Sequence, residues 1–453
     1  MLQLVSKISI CLYVVLLLIA VPACKSKKKS EISGTPILAF EVKNDLKVDP
    51  SIAAMTIQLP AAQQNNYWYG GNSLQDQSIE NIAKEYKFKK GNQVTLKKVA
   101  DIWSGYRSGN ENRYVFAPII KGDEIITLDA SALLSSYDIV KKKRIWEVRI
   151  FPRQWLKNYQ NPKISYHDGI IFASAGTNKI AAFDEKKQEI IWSKDLSSIP
   201  NSYPISDGKS VYFTTDDDKL YALDVQSGRI KWIHSAVLRT TAILGSASPI
   251  FYNNLVIASF ASGELYALNK ETSEVVWTMD LNTRNHLNSD FYLNDIDATP
   301  VIKNGVIYAI GNGGLMTALN AKNGQLLWKK ELSSIIDFWV SGDFIYLINN
   351  DNKILAIYKK NGAIKWISDL PNLRKKDKLE SKIIYNGVAM VQDKLVTVDN
   401  KGLLLFISPL DGKIESKIQL TGFQQLSHAP IAIGNRFYFH GLGRYSTSIV
   451  VME

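Results

Sequence analysis

The stretch Asp218–Trp232 reads DKLYALDVQSGRIKW, and it decides the fold because the chain repeats it. Gly263–Trp277 (GELYALNKETSEVVW) and Asn352–Trp366 (NKILAIYKKNGAIKW) have the same layout. In each, a short apolar run passes through a polar turn into a second run that ends on tryptophan. Self-similarity of this kind indicates stacked modules that bury one continuous core.

Each repeat also extends backwards into two more strands. In Pro300–Ile310 (PVIKNGVIYAI), two apolar runs are joined by Asn304-Gly305. Asn-Gly, Asp-Gly and Ser-Gly pairs favour hairpins because the central turn residues need positive φ at low cost. The strands are not separated by amphipathic helical patterns, which argues against an α/β fold. Each unit therefore predicts one four-stranded antiparallel blade.

The spacing of the closing tryptophans sets the number of blades. They stand about 44 residues apart, at Trp103, Trp146, Trp192, Trp232, Trp277, Trp328 and Trp366. Ser416 occupies the tryptophan position of the next unit, and the segment from His428 has room for only three strands. We therefore predict an all-β, eight-bladed β-propeller of four-stranded antiparallel blades over residues 101–453, with seven blades as the alternative. An N-terminal strand containing Trp103 is expected to complete the last blade and close the ring, which removes exposed sheet edges.

The recurring tryptophans have a structural and a functional interpretation. Aromatic rings can stack on cofactors or sugars, but a large ring at the same place in successive blades is better explained as a wedge between neighbours. Each such ring buries roughly 200 Å². We therefore assign these tryptophans to the core.

The N-terminus predicts export. Lys7 precedes the apolar run Ile8–Ala20 (ISICLYVVLLLIA), which is too short to span a bilayer and is typical of a secretory signal over residues 1–23. Cys24 follows at once, and no later cysteine exists for a disulfide. The junction resembles the lipobox of bacterial lipoproteins, which implies acylation of Cys24; cleavage that leaves a free thiol is the alternative.

The chain between signal and propeller has no sustained period. We predict a lipidated flexible tether over residues 24–63 and an irregular lead-in over residues 64–100. Lys25 follows the cysteine where an aspartate would retain a lipoprotein in the inner membrane, so delivery to the outer membrane is permitted. The formal net charge of +11 is spread along the chain without an arginine stripe or an aromatic RNA motif, so nucleic acid is not an expected partner.

The repeat G-x-L-Y-A-L, a turn and then Trp resembles the PQQ-type quinoprotein propeller repeat over about 350 residues. Within that superfamily, the lipobox, the eight blades and two long loops resemble the BamB family of outer-membrane assembly lipoproteins. The loops are Ala236–Pro249 (AVLRTTAILGSASP) and Asn282–Pro300 (NTRNHLNSDFYLNDIDATP). The resemblance implies a non-catalytic scaffold that is lipid-anchored at the periplasmic face of the outer membrane. It also implies two partners, a POTRA domain of a BamA-like insertase and unfolded barrel proteins.

The same resemblance places the partner-binding residues in these two loops, at Leu238, Arg239, Asp295 and Asp297. The family's first loop leucine falls on Ala236, which is a departure from its pattern. An apolar anchor beside a charge is favoured at binding hot spots, and loops on rigid scaffolds often carry function. The alternative for the two aspartates is that they cap turns before Pro300.

The chemistry of an enzyme is not evident in the sequence. A quinoprotein dehydrogenase holds an anionic quinone with cationic side chains and a calcium ion with oxygen ligands, and many members clamp the quinone with adjacent cysteines, which this chain lacks. The five histidines have no metal-binding spacing, and the Asp216–Asp218 run is expected to be a solvated turn. We therefore expect no cofactor, metal or catalytic residue. A quinoprotein dehydrogenase-like protein and an envelope polymer-binding propeller are the alternatives.

Overall fold

The computed structural model describes residues 46–70, 79–84, 93–95, 97–102, 117–129, 131–152, 162–236, 247–282, 296–312, 314–372, 383–423, 425–426, 429–442 and 447–452. Within these ranges, the regular structure consists of strands and one 3₁₀ turn, Pro50–Ile52. The strands form eight separate antiparallel-based sheets, one for each blade. The predicted all-β, eight-bladed propeller is confirmed.

The strands follow the chain in simple order. Three precede the first blade: β1 (Tyr67–Tyr69), β2 (Gln93–Thr95) and β3 (Lys97–Ile102). Blade 1 contains β4 (Ile119–Lys121), β5 (Glu124–Leu128), β6 (Leu133–Asp138) and β7 (Lys143–Arg149). Blade 2 contains β8 (Lys163–His167), β9 (Ile170–Ser174), β10 (Lys179–Asp184) and β11 (Glu189–Asp195). Blade 3 contains β12 (Ile205–Ser206), β13 (Ser210–Thr215), β14 (Lys219–Asp224) and β15 (Ile230–Ser235). Blade 4 contains β16 (Ile250–Tyr252), β17 (Leu255–Ser259), β18 (Glu264–Asn269) and β19 (Val275–Asp280).

The second half of the ring repeats this arrangement. Blade 5 contains β20 (Val301–Lys303), β21 (Val306–Ile310), β22 (Leu315–Asn320) and β23 (Leu326–Glu331). Blade 6 contains β24 (Trp339–Ser341), β25 (Phe344–Ile348), β26 (Lys353–Tyr358) and β27 (Ile364–Asp369). Blade 7 contains β28 (Ala389–Val391), β29 (Lys394–Val398), β30 (Leu403–Ile407) and β31 (Ile414–Thr421). Blade 8 receives β32 (Gln425–Leu426), β33 (Ile431–Ile433), β34 (Arg436–Leu442) and β35 (Thr447–Met452) from the C-terminal part of the chain.

The outer strand of blade 8 comes from the N-terminal part of the chain. β3 pairs antiparallel with β35, with a register that runs from Lys97 opposite Val451 to Ile102 opposite Thr447. The main strands of blade 8 are therefore β33, β34, β35 and β3, from the inside outwards. Trp103, which the sequence placed in this strand, follows its last residue and lies outside the described residues.

The antiparallel meander gives the propeller two different faces. In each blade, the turns between the first and second strands and between the third and fourth strands lie at one end; we call this end the turn face. The turns between the second and third strands, and the connections from one blade to the next, lie at the other end, which we call the loop face. Both predicted partner loops connect consecutive blades, so their ends lie on the loop face.

The turns use the geometry that their sequences predict. Asn304 and Gly305 both have positive φ, 52° and 73°, in the two-residue hairpin between β20 and β21. This geometry matches the right-handed twist of the flanking strands.

Successive blades are joined through their tryptophans. In five consecutive blade pairs, the indole N–H donates to a backbone carbonyl of the following blade: Trp192 to Val225 (2.7 Å), Trp232 to Lys270 (2.9 Å), Trp277 to Ala321 (3.1 Å), Trp328 to Lys359 (2.8 Å) and Trp366 to Pro409 (2.9 Å). The rings pack in the apolar clusters between blades. These tryptophans are core residues, and the hydrogen bond satisfies the indole N–H that burial would otherwise leave without water.

In the seventh blade, a different pair of residues fills the space that the tryptophan and its cross-strand partner fill elsewhere. In blades 1 to 6, the tryptophan lies across from a small residue of the third strand, as Trp277 does from Ala267. In blade 7, Ser416 lies across from Phe406, which is 3% exposed and packs near Phe437 of blade 8. The large ring has moved to the neighbouring strand, which maintains the density of the core without the tryptophan.

Residues 46–63, which the sequence placed in a flexible tether, pack on the propeller. The backbone N–H of Asp49 donates to the carbonyl of Ile364 at 2.8 Å. Ile57 is 7% exposed and belongs to the core cluster between blades 6 and 7. The apolar contacts of this segment are irregularly spaced, so no period in the sequence announced them. The predicted signal and the first part of the tether, residues 1–45, lie outside the described residues.

The predicted lead-in, residues 64–100, also contains pairing strands. β1 runs antiparallel to β4 on the channel side of blade 1, and β2 runs parallel to β31 on the outer edge of blade 7. Gly70 then bridges to Ser165 in the inner strand of blade 2. Among the residues that the structure describes, no helix has the length and apolarity needed to cross a bilayer.

Candidate functional site

The two loops that the sequence singled out meet at their ends on the loop face. The backbone N–H of Ala247, at the end of the first loop, donates to the carbonyl of Ile296, near the end of the second, at 3.2 Å. Ala247 and Ile296 are 1% and 2% exposed and pack in the cluster between blades 4 and 5. The ends of both loops are thus fixed to each other and to the core.

The described part of the chain contains one of the four predicted partner-binding residues. Leu238, Arg239 and Asp295 lie outside the described residues, as does the predicted lipidation site, Cys24. Asp297 lies between two buried residues of the second loop and is itself partly exposed.

Ala236 explains the departure from the family's leucine pattern. Its N–H donates to the carbonyl of Asp218 at 2.9 Å, and its side chain is 8% exposed within the core cluster of blades 3 and 4. This position therefore contributes to packing between blades. The apolar part of the predicted anchor rests on Leu238 alone.

Asp297 belongs to a charged cluster at the loop-face end of the central channel. The cluster centres on Lys163, the first residue of β8, which is buried. Burial lowers the pKa of Lys163 to about 8, although the negative charges of Asp297, Asp337 and Asp216 act in the opposite direction. These aspartates come from blades 3, 5 and 6 or the connections that lead into them, so charges from three other blades act on Lys163.

Two buried groups complete the surroundings of Lys163. Its ammonium lies 4.4 Å from the centroid of the Tyr203 ring, a cation–π geometry. The Tyr203 hydroxyl accepts a hydrogen bond from the N–H of Ala117 at 3.0 Å, and burial raises its pKa. Burial also raises the pKa of Asp337, which accepts from the N–H of Thr299 at 2.8 Å. These contacts link blade 3 to blades 1 and 2, and blade 5 to blade 6, at the loop face.

Sequence reasoning missed Lys163, Tyr203 and Asp337. The sequence does contain a signal for Lys163, which follows Pro162. In blades 4 and 5 the residue after the corresponding proline is apolar, namely Ile250 and Val301. A lysine at a position that is otherwise apolar indicates a special environment. The partners of this lysine become neighbours only when the ring closes.

The Asp216–Asp218 run is more structured than the solvated turn that the sequence predicted. Asp217 accepts hydrogen bonds from Thr215 at 2.6 Å and from Lys219 at 2.6 Å. Asp218 is 5% exposed and accepts from the N–H of Ala261 in blade 4 at 3.2 Å. Its backbone has φ of 52°, which aspartate tolerates better than most residues. Two of the three aspartates thus stabilise the turn and its contact with the next blade.

Comparison with known proteins identifies relatives of this architecture. A family model described as "Outer membrane protein assembly factor BamB" matches residues 130–368. The outer membrane protein assembly factor BamB of Yersinia pestis is 26% identical over 317 residues, which cover 68% of this chain and 77% of the relative.

Solved structures show the same fold at lower identity. BamB from Moraxella catarrhalis superimposes with a TM-score of 0.63 at 19% identity, covering 79% of this chain and all of that one. The quinohemoprotein alcohol dehydrogenase from Comamonas testosteroni gives 0.60 at 10% identity, covering 89% and 82%. At these identities, the likeness concerns the fold alone.

Proposed function

Since the chain belongs to the family of the outer membrane protein assembly factor BamB, we propose that it is a non-catalytic scaffold lipoprotein of the machinery that inserts β-barrels into the outer membrane. Acylation of Cys24 anchors it at the periplasmic face of that membrane. Its loop face binds a POTRA domain of a BamA-like insertase.

The observation that carries this proposal is the joining of the two long loops at their ends. The hydrogen bond from Ala247 to Ile296 fixes the ends of these two loops, which come from consecutive blade junctions, next to each other on the loop face. Leu238 and Arg239 in the first loop, and Asp295 in the second, then present an apolar anchor with both signs of charge. This composition suits a small interface with a central hot spot.

Replacement of the anchor tests the partner site. In the double variant Leu238→Ala/Arg239→Ala, we expect capture of the insertase's purified periplasmic domains to weaken by at least ~2 kcal/mol, because hot-spot side chains carry most of an interface's energy. The temperature of unfolding should remain near that of the unaltered protein. The exposed pair Val140 and Lys141, in a turn on the opposite face, offers a matched control as Val140→Ala/Lys141→Ala. Equal capture by both double variants would refute this site.

The charged cluster in the channel does not fit an anionic quinone. Such a cofactor requires cationic side chains around its carboxylates, whereas this cluster opposes Lys163 with Asp216, Asp297 and Asp337. The pKa of Lys163, about 8, further weakens its charge at alkaline pH. This charge balance supports a non-catalytic role despite the fold shared with quinoprotein dehydrogenases.

The outer edges of the blades support a second partner, unfolded barrel strands. The outer edge of blade 7 already pairs with an extended segment of this chain, β2. In blades 4 and 5, the outer strands expose Val276 (48%) and Leu327 (49%) and pair on one side only within the described residues. An extended chain of alternating apolar residues can add to such an edge through main-chain hydrogen bonds.

Photo-crosslinking of barrel-strand peptides tests this role. Val276→Asp should reduce crosslinking to β19 severalfold, and Leu327→Asp should do the same for β23, because a charge on an edge strand disfavours further pairing. Val140→Asp provides a control at an apolar residue that is also exposed but lies in a turn. Peptides that crosslink equally to all variants, or that never crosslink to the rim, would exclude edge pairing.

A further inference from the structure

A column of tyrosines lies at the turn-face end of blades 1 and 2. The rings of Tyr67 and Tyr69 are stacked, with centroids 4.6 Å apart and an interplanar angle of 18°. Tyr69 in turn lies 4.9 Å from Tyr166 of blade 2. Tyr67 is 38% exposed at the end of this column. A rigid, partly exposed ring that is supported from behind provides a surface on which another flat apolar face can stack.

A groove with both polar and apolar lining residues lies on the other side of the same strand, between blades 8 and 1. It has a volume of about 520 Å³, within the 300–1,000 Å³ typical of small-molecule sites. Its polar side chains are Asn66, Asp123, Asn435, Arg436 and Tyr438. Asn66 and Asn435 are exposed, so their amides face solvent. Amides, a carboxylate, a guanidinium and a phenol together offer both hydrogen-bond donors and acceptors.

The N-terminal segment builds both parts of this surface. The carbonyl of Asn65 accepts from the N–H of Gly434 at 2.8 Å, and the carbonyl of Asn66 accepts from the N–H of Gly122 at 3.0 Å. The next residue, Tyr67, begins β1, which pairs with β4. Main-chain hydrogen bonds to blades 8 and 1 therefore fix the segment that carries both the tyrosine column and the edge of the groove.

The charges of the groove compensate each other. Arg436 Nη1 lies 2.5 Å from Asp123 Oδ1, which satisfies both charges internally. Beside the column, Lys121 pairs with Glu185 and lies 3.3 Å from Glu124. An anionic lipid headgroup or a phosphate would have to displace these carboxylates, so the surface favours a neutral ligand with many hydroxyl groups.

From these observations, we infer that the turn face of blades 8, 1 and 2 binds a neutral pyranoside chain, with Tyr67 stacking on the apolar face of one sugar ring and the groove hydrogen-bonding to the next. Aromatic faces match the C–H face of a pyranose, while amides and paired charges match its hydroxyls. An extended peptide is the alternative ligand. The site lies on the face opposite the proposed insertase loops, so both ligands can bind together.

Titration of the full chain with N-acetylchitotetraose and with maltotetraose tests the inference by calorimetry. We expect binding of at least one of them, a loss of tenfold or more in Tyr67→Ala, and retention in Tyr67→Phe, because stacking needs the ring and not the hydroxyl. Asn435→Ala should weaken binding severalfold. Tyr252→Ala supplies the matched control, since Tyr252 is a partly exposed tyrosine at the equivalent end of blade 4.

Three results would overturn the inference: saturation by neither tetrasaccharide, equal affinity in Tyr67→Ala, or Tyr67-dependent binding of an extended peptide instead of a sugar. Thermal unfolding of each variant separates loss of the site from loss of the fold. Capture of the insertase domains should be unchanged in Tyr67→Ala. This readout distinguishes failure of the sugar site from failure of the proposed scaffold function.

Discussion

At the scale of single residues, the junctions between blades depend on a tryptophan that faces a glycine. The four most buried of these rings, Trp192, Trp277, Trp328 and Trp366, lie against Gly228, Gly324, Gly362 and Gly412 of the next blade. Trp146 and Trp232 are only half-buried. Their neighbouring turns carry Gln188 and Ser273, with φ of 58° and 61°, at the corresponding position. The turn residue thus sets how deeply the indole can sit.

Gly324→Ala should destabilise the protein by about 1–3 kcal/mol, the range for overpacking a tight contact. A Cβ at this position would lie 2.8 Å from Cδ2 of Trp277, and its φ of 70° adds backbone strain. Chemical denaturation of both proteins measures the difference. Gly169→Ala has a comparable φ of 81° but meets no atom within 4 Å, so it isolates the strain from the collision. Equal losses in the two variants would show that the indole contact is unimportant.

A buried histidine in blade 8 makes stability depend on pH. His440 is 2% exposed, and burial lowers its pKa to about 4. The unfolded chain takes up a proton near pH 6.5, whereas the folded chain resists protonation, so stability is present above about pH 6.5 and is lost as pH falls towards 4.

Between pH 7 and pH 5, this histidine should remove about 2 kcal/mol from the free energy of unfolding. His440→Gln, which carries no titratable group, should lack that part of the pH dependence. His167→Gln is the control, because His167 is partly exposed. Urea denaturation at several pH values gives the free energy of unfolding of each protein as a function of pH. Parallel curves for the unaltered protein and His440→Gln would contradict the role of His440 in the pH dependence.

At the scale of strands and loops, the sequence predicts what repeats and misses what occurs once. The blade meander, the turns and the place of Ser416 in the seventh unit follow from a pattern that recurs. The docking of residues 46–70 on the turn face could not be predicted in this way. Its contacts, such as that of Ile57, are made to blades far along the chain, and the residues that make them are not regularly spaced. The cluster around Lys163 needs partners more than 50 residues away along the chain, so only ring closure brings it together.

The strand β3 provides a direct test of closure at this scale. Ala100→Pro removes a backbone donor where β3 pairs with Ile449 of β35, and proline is poorly tolerated inside a sheet. We expect a loss of several kcal/mol of stability, since opening the ring exposes the apolar faces of blades 1 and 8. Val94→Pro in β2 is the matched control, because that strand lies outside the ring. Similar melting temperatures for the two variants would mean that β3 does not hold the ring closed.

At the scale of the whole molecule, the propeller presents separate surfaces that do not overlap. The loop face carries the ends of both partner loops, the turn face carries the tyrosine column with its groove, and the rim carries strand edges. A rigid ring keeps these surfaces at fixed positions relative to one another. The proposed attachment at Cys24 precedes Leu46, the first described residue, by about 20 residues.

Anchoring through Cys24 predicts where the protein is found when the lipid is removed. Cys24→Ser, exported and cleaved, should move from the outer-membrane fraction to the soluble periplasm, since several acyl chains at about 0.8 kcal/mol per buried methylene supply the membrane affinity. Cys11→Ser is the control, because Cys11 lies in the predicted signal, whose cleavage would remove it from the mature chain. Loop-face capture of the insertase should survive in soluble Cys24→Ser, as the loops and the ring are intact, but the effective concentration near the membrane would fall. Barrel assembly in cells should therefore decline more than binding in solution does. A Cys24→Ser protein that stays in the outer membrane even after the insertase is depleted would show that something other than this cysteine holds it there.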